Sequence, residues 1–136
     1  MATIRNFKDI EAWQMSRELS HRIYQATYKE PFSKDFALKD QIRRSSGSIM
    51  DNIAEGFERN GRREFIQFLS IAKGSAGELR SQLVRAKDSK YISTDEFNLL
   101  DDMTTKVSGK IGAFMNYLKE SSIKGSKFKQ PETLNT

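Results

Sequence analysis

The sequence predicts an all-α protein, an up-down-up-down antiparallel four-helix bundle. Four apolar seams recur at steps of three and four residues, the spacing of one helical face. Only two prolines occur, Pro31 and Pro131. No run alternates apolar and polar residues as a half-buried strand would. The links between seams are short, which makes neighbouring helices antiparallel. The 136 residues fit one domain, with the bundle over 1–120 and a polar tail over 121–136.

The first helix is expected over about 9–30, with Ala12, Ser16, Leu19, Ile23 and Ala26 as its seam. Phe7, Ile10 and Trp13 close one end, and Pro31 bars further helix. The second helix covers about 35–59. Ser33 or Asp35 caps it, and Ile42, Ser46, Ile49, Ile53 and Phe57 form its seam. Asn60-Gly61 reads as a turn and helix stop. The third helix, 62–88, carries a strict four-three repeat of Phe65, Leu69, Ala72, Ala76, Leu79, Leu83 and Ala86. That period suits helices crossing at a shallow angle of about 20°. Ser93 and Glu96 form a capping box before the fourth helix, 94–120, with Phe97, Leu100, Thr104, Val107, Ile111, Phe114 and Leu118 inward. After Glu120 the pattern stops, and the polar tail is expected to be disordered.

The middle helices each carry a second stripe. On the second helix it is Gln41, Ser45, Ser48, Asn52, Glu55 and Arg59; on the third, Phe68, Ile71, Ser75, Glu78, Gln82 and Arg85. These side chains are small or uncommitted rather than the Lys/Glu mixture of a wetted face. Gly74 and Gly77 sit mid-helix, where each costs about 1 kcal/mol relative to Ala, and so suggest close helix approach. Ser45–Ser48 and Gly74–Gly77 are expected to meet tightly, with Asn52, Glu55, Ser75 and Glu78 nearby. Glu55 and Glu78 are expected as structural carboxylates bonded to Arg44, Asn52 or Gln82. The expected structural and oligomer-interface set is Gln41, Arg44, Ser48, Asn52, Glu55, Gly56, Gly74, Ser75, Glu78 and Gln82.

Composition removes several chemistries. There is no cysteine, hence no disulfide, thiolate metal site or cysteine nucleophile. The one histidine, His21, falls on the water face, which argues against zinc ligation and a Ser-His-Asp triad. Gly47, Gly56 and Gly61 lack phosphate-loop spacing. A di-metal bundle needs a Glu-x-x-His pattern that is missing. Neither a catalytic residue nor a cofactor or metal site is expected. The N-terminus lacks a signal-peptide stretch, and no run approaches the roughly 20 apolar residues of a membrane span, so a cytoplasmic protein is expected.

Lys and Arg number 23 against 18 Asp and Glu, for a net +5 and a pI near 9.5. Residues 1–90 hold 17 cations against 12 anions, 91–120 three against five, and 121–136 three against one. Arg43, Arg59, Arg62, Arg63, Lys73 and Arg80 are the candidate nucleic-acid contacts, since a guanidinium fork grips phosphate. Arg44 is assigned to a structural pair with Glu55 or Glu78. Phe65, Phe68 and Phe97 read as core, so stacking on unpaired bases is not indicated.

Over roughly residues 7–118 the chain resembles the 23S ribosomal RNA intervening-sequence proteins. The resemblance runs through Phe7-Lys8-Asp9-Ile10 with Trp13, Ile23-Tyr24, Pro31-Phe32, Gln41-Ile42-Arg43-Arg44, Ser48-Ile49, Asn52 to Gly56, and Arg59. It continues in Glu64-Phe65, Phe68-Leu69, Ile71-Ala72, Gly74-Ser75, Glu78-Leu79 and Gln82-Leu83. Met50 stands where that family often has Pro, Ser45 or Ser46 where it often has Ala, and Gly77 where a larger residue is common. The resemblance implies a helical subunit assembling into a homo-oligomeric ring, expected to be a pentamer. The family is also similar to the accessory variability determinant proteins of diversity-generating retroelements, which are basic, pentameric and work with nucleic acid and a reverse transcriptase. The expected function is therefore a non-catalytic, homopentameric module binding structured RNA. The alternative is a scaffold for a protein such as a polymerase or reverse transcriptase, with no direct nucleic-acid role.

Overall fold

The computed structural model describes residues 3–121. The expected disordered tail, Ser121 apart, lies outside the described residues. Four α-helices form: α1 Glu11–Thr27, α2 Phe36–Glu58, α3 Arg62–Asp88 and α4 Thr94–Glu120. Two 3-10 turns, Phe7–Asp9 and Phe32–Lys34, precede α1 and α2.

The first helix is shorter than the 9–30 the seam suggested. Asn6 and Asp9 cap the 3-10 turn reciprocally, and Ile10 then takes extended backbone, φ −76° and ψ 122°. That break sends the Ile10 side chain into the core. At the other end Thr27 Oγ1 donates to the Tyr24 carbonyl at 2.8 Å, which also accepts the Tyr28 N–H at 3.2 Å. Pro31 then lacks the N–H a further turn would need, and the Glu30–Pro31 peptide is cis.

The expected end residues of the second helix, 35 and 59, are its caps. Asp35 accepts from the Leu38 N–H at 3.1 Å, and Arg59 is the C-cap. In the following turn Asn60, not Gly61, has left-handed backbone at φ 63°. The α3 end is a Schellman motif on a lysine. Lys90 has φ 62°, Tyr91 N–H donates to the Ala86 carbonyl and Lys90 N–H to that of Lys87, each at 2.9 Å. Ser93 and Glu96 close the capping box of α4.

α2 packs on α1 and α3, and α4 on α1 and α3. Partners across these pairs fall in opposite chain order. Thr27 meets Arg43 and Ser20 meets Ser46; Gln41 meets Arg85 and Ser48 meets Ser75; Lys73 meets Ser108 and Arg80 meets Asp101. The seams are buried between the helices, with Phe65, Ile49, Leu79 and Ile111 fully enclosed. Ile4, Phe32 and Ile92 join this core from the segments outside the four helices, and Leu38 from the first turn of α2. Truncating such a side chain to Ala costs about 2–5 kcal/mol. Among the described residues no helix is long and apolar enough to cross a membrane.

Candidate interface residues on α2 and α3

The second stripes of α2 and α3 lean toward each other within one chain. Ser48 and Ser75 hydroxyls meet at 2.9 Å. Ser45 is buried and its hydroxyl donates to Glu78 Oε1 at 3.3 Å. Arg85 Nη1 donates to Gln41 Oε1 at 3.0 Å. Asn52 turns back on its own helix, donating to the Ser48 carbonyl at 2.8 Å and hydroxyl at 3.0 Å. At Gly56 the helices close tightly. A methyl group there would meet the Phe68 Cβ at 2.6 Å and the Phe65 Cδ1 at 3.0 Å, so only hydrogen fits.

The other small residues do not follow. A Cβ on Gly47, Gly74 or Gly77 would meet nothing within 4 Å. The expected tight approach at Gly74 and Gly77 is therefore absent within the chain, because at these positions α3 faces outward, beside Ile71 (52% exposed) and Val84 (45%). The expected carboxylate pairings also change. Arg44 bonds neither Glu55 nor Glu78, but Asp40 one turn away at 2.5 Å. Glu55 pairs with Arg59 at 2.8 Å. Both acids are exposed. A partner four residues away on the same helix needs no tertiary alignment, and it wins over a distant one.

Along the outer side of α2 runs a groove of about 790 Å³, lined by Tyr24, Gln41, Arg44, Ser48, Asp51, Glu78 and Gln82, among others. Gln82 is buried (5% exposed), yet its Oε1 has no hydrogen-bond partner among the described residues. An orphan acceptor of this kind costs about 1–3 kcal/mol until a donor reaches it.

The candidate nucleic-acid residues spread over three sides. Arg59, Arg62 and Arg63 gather at the α2–α3 turn; Lys73 and Arg80 face α4; Arg43 faces α1. Arg80 forks onto Asp101, at 2.9 and 3.4 Å. The hydrogen bond and charge of Asp101 raise its guanidinium pKa, as Glu55 does for Arg59. Arg62 donates to the Ser121 carbonyl, and Lys73 Nζ to Ser108 Oγ at 3.2 Å. Arg63 is exposed. Arg43 is half-buried, its Nε donating to Thr27 Oγ1 at 2.8 Å.

Sequence reasoning missed two features. Tyr24, Tyr28 and Phe36 are exposed rings, and three of these on one side carried no periodic signal. Tyr91 bridges elements, its hydroxyl donating to Asp35 Oδ2 at 2.8 Å and its ring stacking on Phe32 with centroids 5.0 Å apart. The Leu38 N–H and then the Tyr91 hydroxyl hold the Asp35 carboxyl below its usual pKa, and the same bond raises the Tyr91 phenol. Among the described residues no three metal-ligating side chains cluster.

An all-helical chain of four packed helices, with polar seams on its middle pair, is the class defined so far. The profile of the 23S rRNA-intervening sequence proteins matches residues 8–113. The chain belongs to that family. It is also similar to a solved protein of unknown function from the S23 ribosomal protein family of Bacteroides thetaiotaomicron VPI-5482. That likeness has a TM-score of 0.70 at 27% identity, covering 76% of this chain and 97% of that one. No curated protein matches.

Proposed function

We propose that the chain is the up-down-up-down subunit of a non-catalytic homo-oligomeric ring, a pentamer, that binds structured RNA. The observation that carries the assembly is the outer face of α2 and α3. Gly47, Gly74 and Gly77 lie in open space there, mid-helix, at about 1 kcal/mol each relative to Ala. Packing inside the subunit gives no reason to keep them. A sister copy seated on that face does, because its backbone could then approach closely beside Ile71 and Val84. An incoming N–H would also satisfy Gln82 Oε1. The opposite order of side-chain partners along consecutive helices supports the up-down course.

The RNA reading is supported by the family and by charge. Five subunits of +5 would carry about +25 before counterions, enough to draw phosphate strongly. Arg63 and Arg43, which no carboxylate neutralises among the described residues, are the first candidates for contact. Arg59 and Arg80 are already held by acids.

Two measurements test this. Light scattering is expected to give about five times the 15.6 kDa subunit mass; a folded monomer at micromolar concentration would end the ring reading. Affinity for a structured RNA is expected to fall steeply with salt and to drop further in Arg62→Glu/Arg63→Glu. RNA affinity that ignores salt, or its absence at low salt, would end the RNA reading.

A further inference from the structure

One side of the molecule combines exposed rings with cations that no carboxylate neutralises among the described residues. Tyr24 and Tyr28 stand one turn apart on α1 and its cap. Phe36, Lys39 and Arg43 stand at i, i+3 and i+7 on α2, sharing a face. Tyr28 and Phe36 are each 69% exposed. The Arg43 guanidinium lies over both tyrosine rings, 4.4 Å from the Tyr24 centroid and 5.0 Å from that of Tyr28. Lys39 Nζ lies 4.9 Å from the Phe36 ring and 3.2 Å from the Ser33 carbonyl.

Several cations elsewhere on the surface are neutralised by an acid. Arg22, Lys34, Arg44, Arg59, Arg80 and Lys106 each pair with a carboxylate. Arg43 and Lys39 have none among the described residues. Their positive charge is held in place by rings, a hydroxyl and a carbonyl, none of which cancels it. The rings in turn keep much of their surface in water, which a subunit with an ordinary core does not require. Exposed aromatic faces interleaved with uncancelled cations match one ligand chemistry well: flat bases joined by phosphates.

We propose that Tyr24, Tyr28, Phe36, Lys39 and Arg43 form a site for single-stranded RNA, with unpaired bases stacked on the open faces of Tyr28 and Phe36 and the linking phosphates on Arg43 and Lys39. This deepens the RNA reading above and rests on it. Arg43 has a second part, since its guanidinium pins the two tyrosines side by side and faces the strand. The stacked bases would be read by their faces, so the site tolerates any sequence. It also explains how a chain whose Phe65, Phe68 and Phe97 belong to the core or its margin can still stack bases: the platform is built from other rings.

The test compares a fluorescent oligo(A) strand with a blunt RNA duplex at low salt, by anisotropy. Tyr28→Ala and Phe36→Ala are each expected to weaken oligo(A) binding by about 5- to 160-fold, the range for a lost aromatic stack, and to leave duplex binding unchanged. Tyr28→Phe is expected to retain full affinity and Tyr28→Leu to behave as Tyr28→Ala. Both exposed positions can change without disturbing the fold, which the circular dichroism of each variant checks. Equal losses on strand and duplex, or unchanged oligo(A) affinity in both alanine variants, overturn the stacking site and spare the RNA reading. Wild-type protein that binds neither RNA overturns both. A fall in light-scattering mass for Tyr28→Ala or Phe36→Ala makes the patch a contact between copies and overturns the stacking site.

Discussion

Gly56, in the last turn of α2, and Gly74, in the middle of α3, are both helical glycines on the middle pair, and they do opposite things. At Gly56 the backbone of α2 lies against Phe65 and Phe68, with room for a hydrogen and nothing more. At Gly74 a side chain would enter open space. The first glycine is needed by the subunit's own packing. The second weakens its helix and gains nothing inside the subunit. The difference teaches that small residues in a bundle divide by the direction they face: inward they set how close two helices come, outward they mark a surface kept low.

Substitutions can break or sharpen that contrast. Gly56→Ala forces a methyl into the Phe68 side chain and is expected to destabilise by about 1–3 kcal/mol, the usual cost of overpacking. Urea unfolding measures it, and a neutral result would erase the distinction. Gly74→Ala and Gly77→Ala are expected to change sign, each raising subunit stability by about 1 kcal/mol through helix propensity. Gly74→Leu is expected to keep the helix content by circular dichroism while lowering the light-scattering mass. A Leu variant of unchanged mass would show that the outer face meets no sister copy.

Smaller effects lie at the hydroxyl contact between the stripes. Ser48→Ala and Ser75→Ala are each expected to cost about 0.5–1.5 kcal/mol, the net worth of a typical hydrogen bond. A double-mutant cycle should return most of that as coupling.

The Asp35–Tyr91 bond gives a pH signature. The Tyr91 phenol is raised above its usual 10.0, so its contribution is held below pH 10 and lost as pH rises through the folded value. Asp35 is lowered from 3.8, so its contribution is held above that value and lost as pH falls through the folded one. Tyr91→Phe should flatten the alkaline limb of a stability-against-pH curve and shallow the acid one. Least of all, Arg44→Ala removes an exposed pair worth about 0–1 kcal/mol.

The seams were legible because burial repeats with the helical period, and Ile49 or Leu79 could be placed from spacing alone. The Ser93 capping box was legible as a local motif. What spacing cannot carry is depth. Gly56 and Gly74 look alike in a sequence, although Gly56 follows Ile53 by three residues and touches the apolar seam, a signal that pointed inward. Arg44 was misassigned because distant carboxylates on a small-residue face drew more weight than Asp40, its neighbour one turn back. The Tyr24, Tyr28 and Phe36 patch spans two helices, and only their packing brings the rings to one side. α1 stops at Thr27, a boundary that the apolar spacing, whose last seam residue is Ala26, does not register.

The bond from Arg62 to the carbonyl of Ser121 fastens the last described residue beside the first turn of α3. Ser121 therefore lies at the same end of the molecule as Arg59 and Arg63. Residues Glu55 to Glu64 there carry three cations and three anions, a local balance. One guanidinium thus clasps the start of α3 to the end of α4 at a pole where opposite charges cancel.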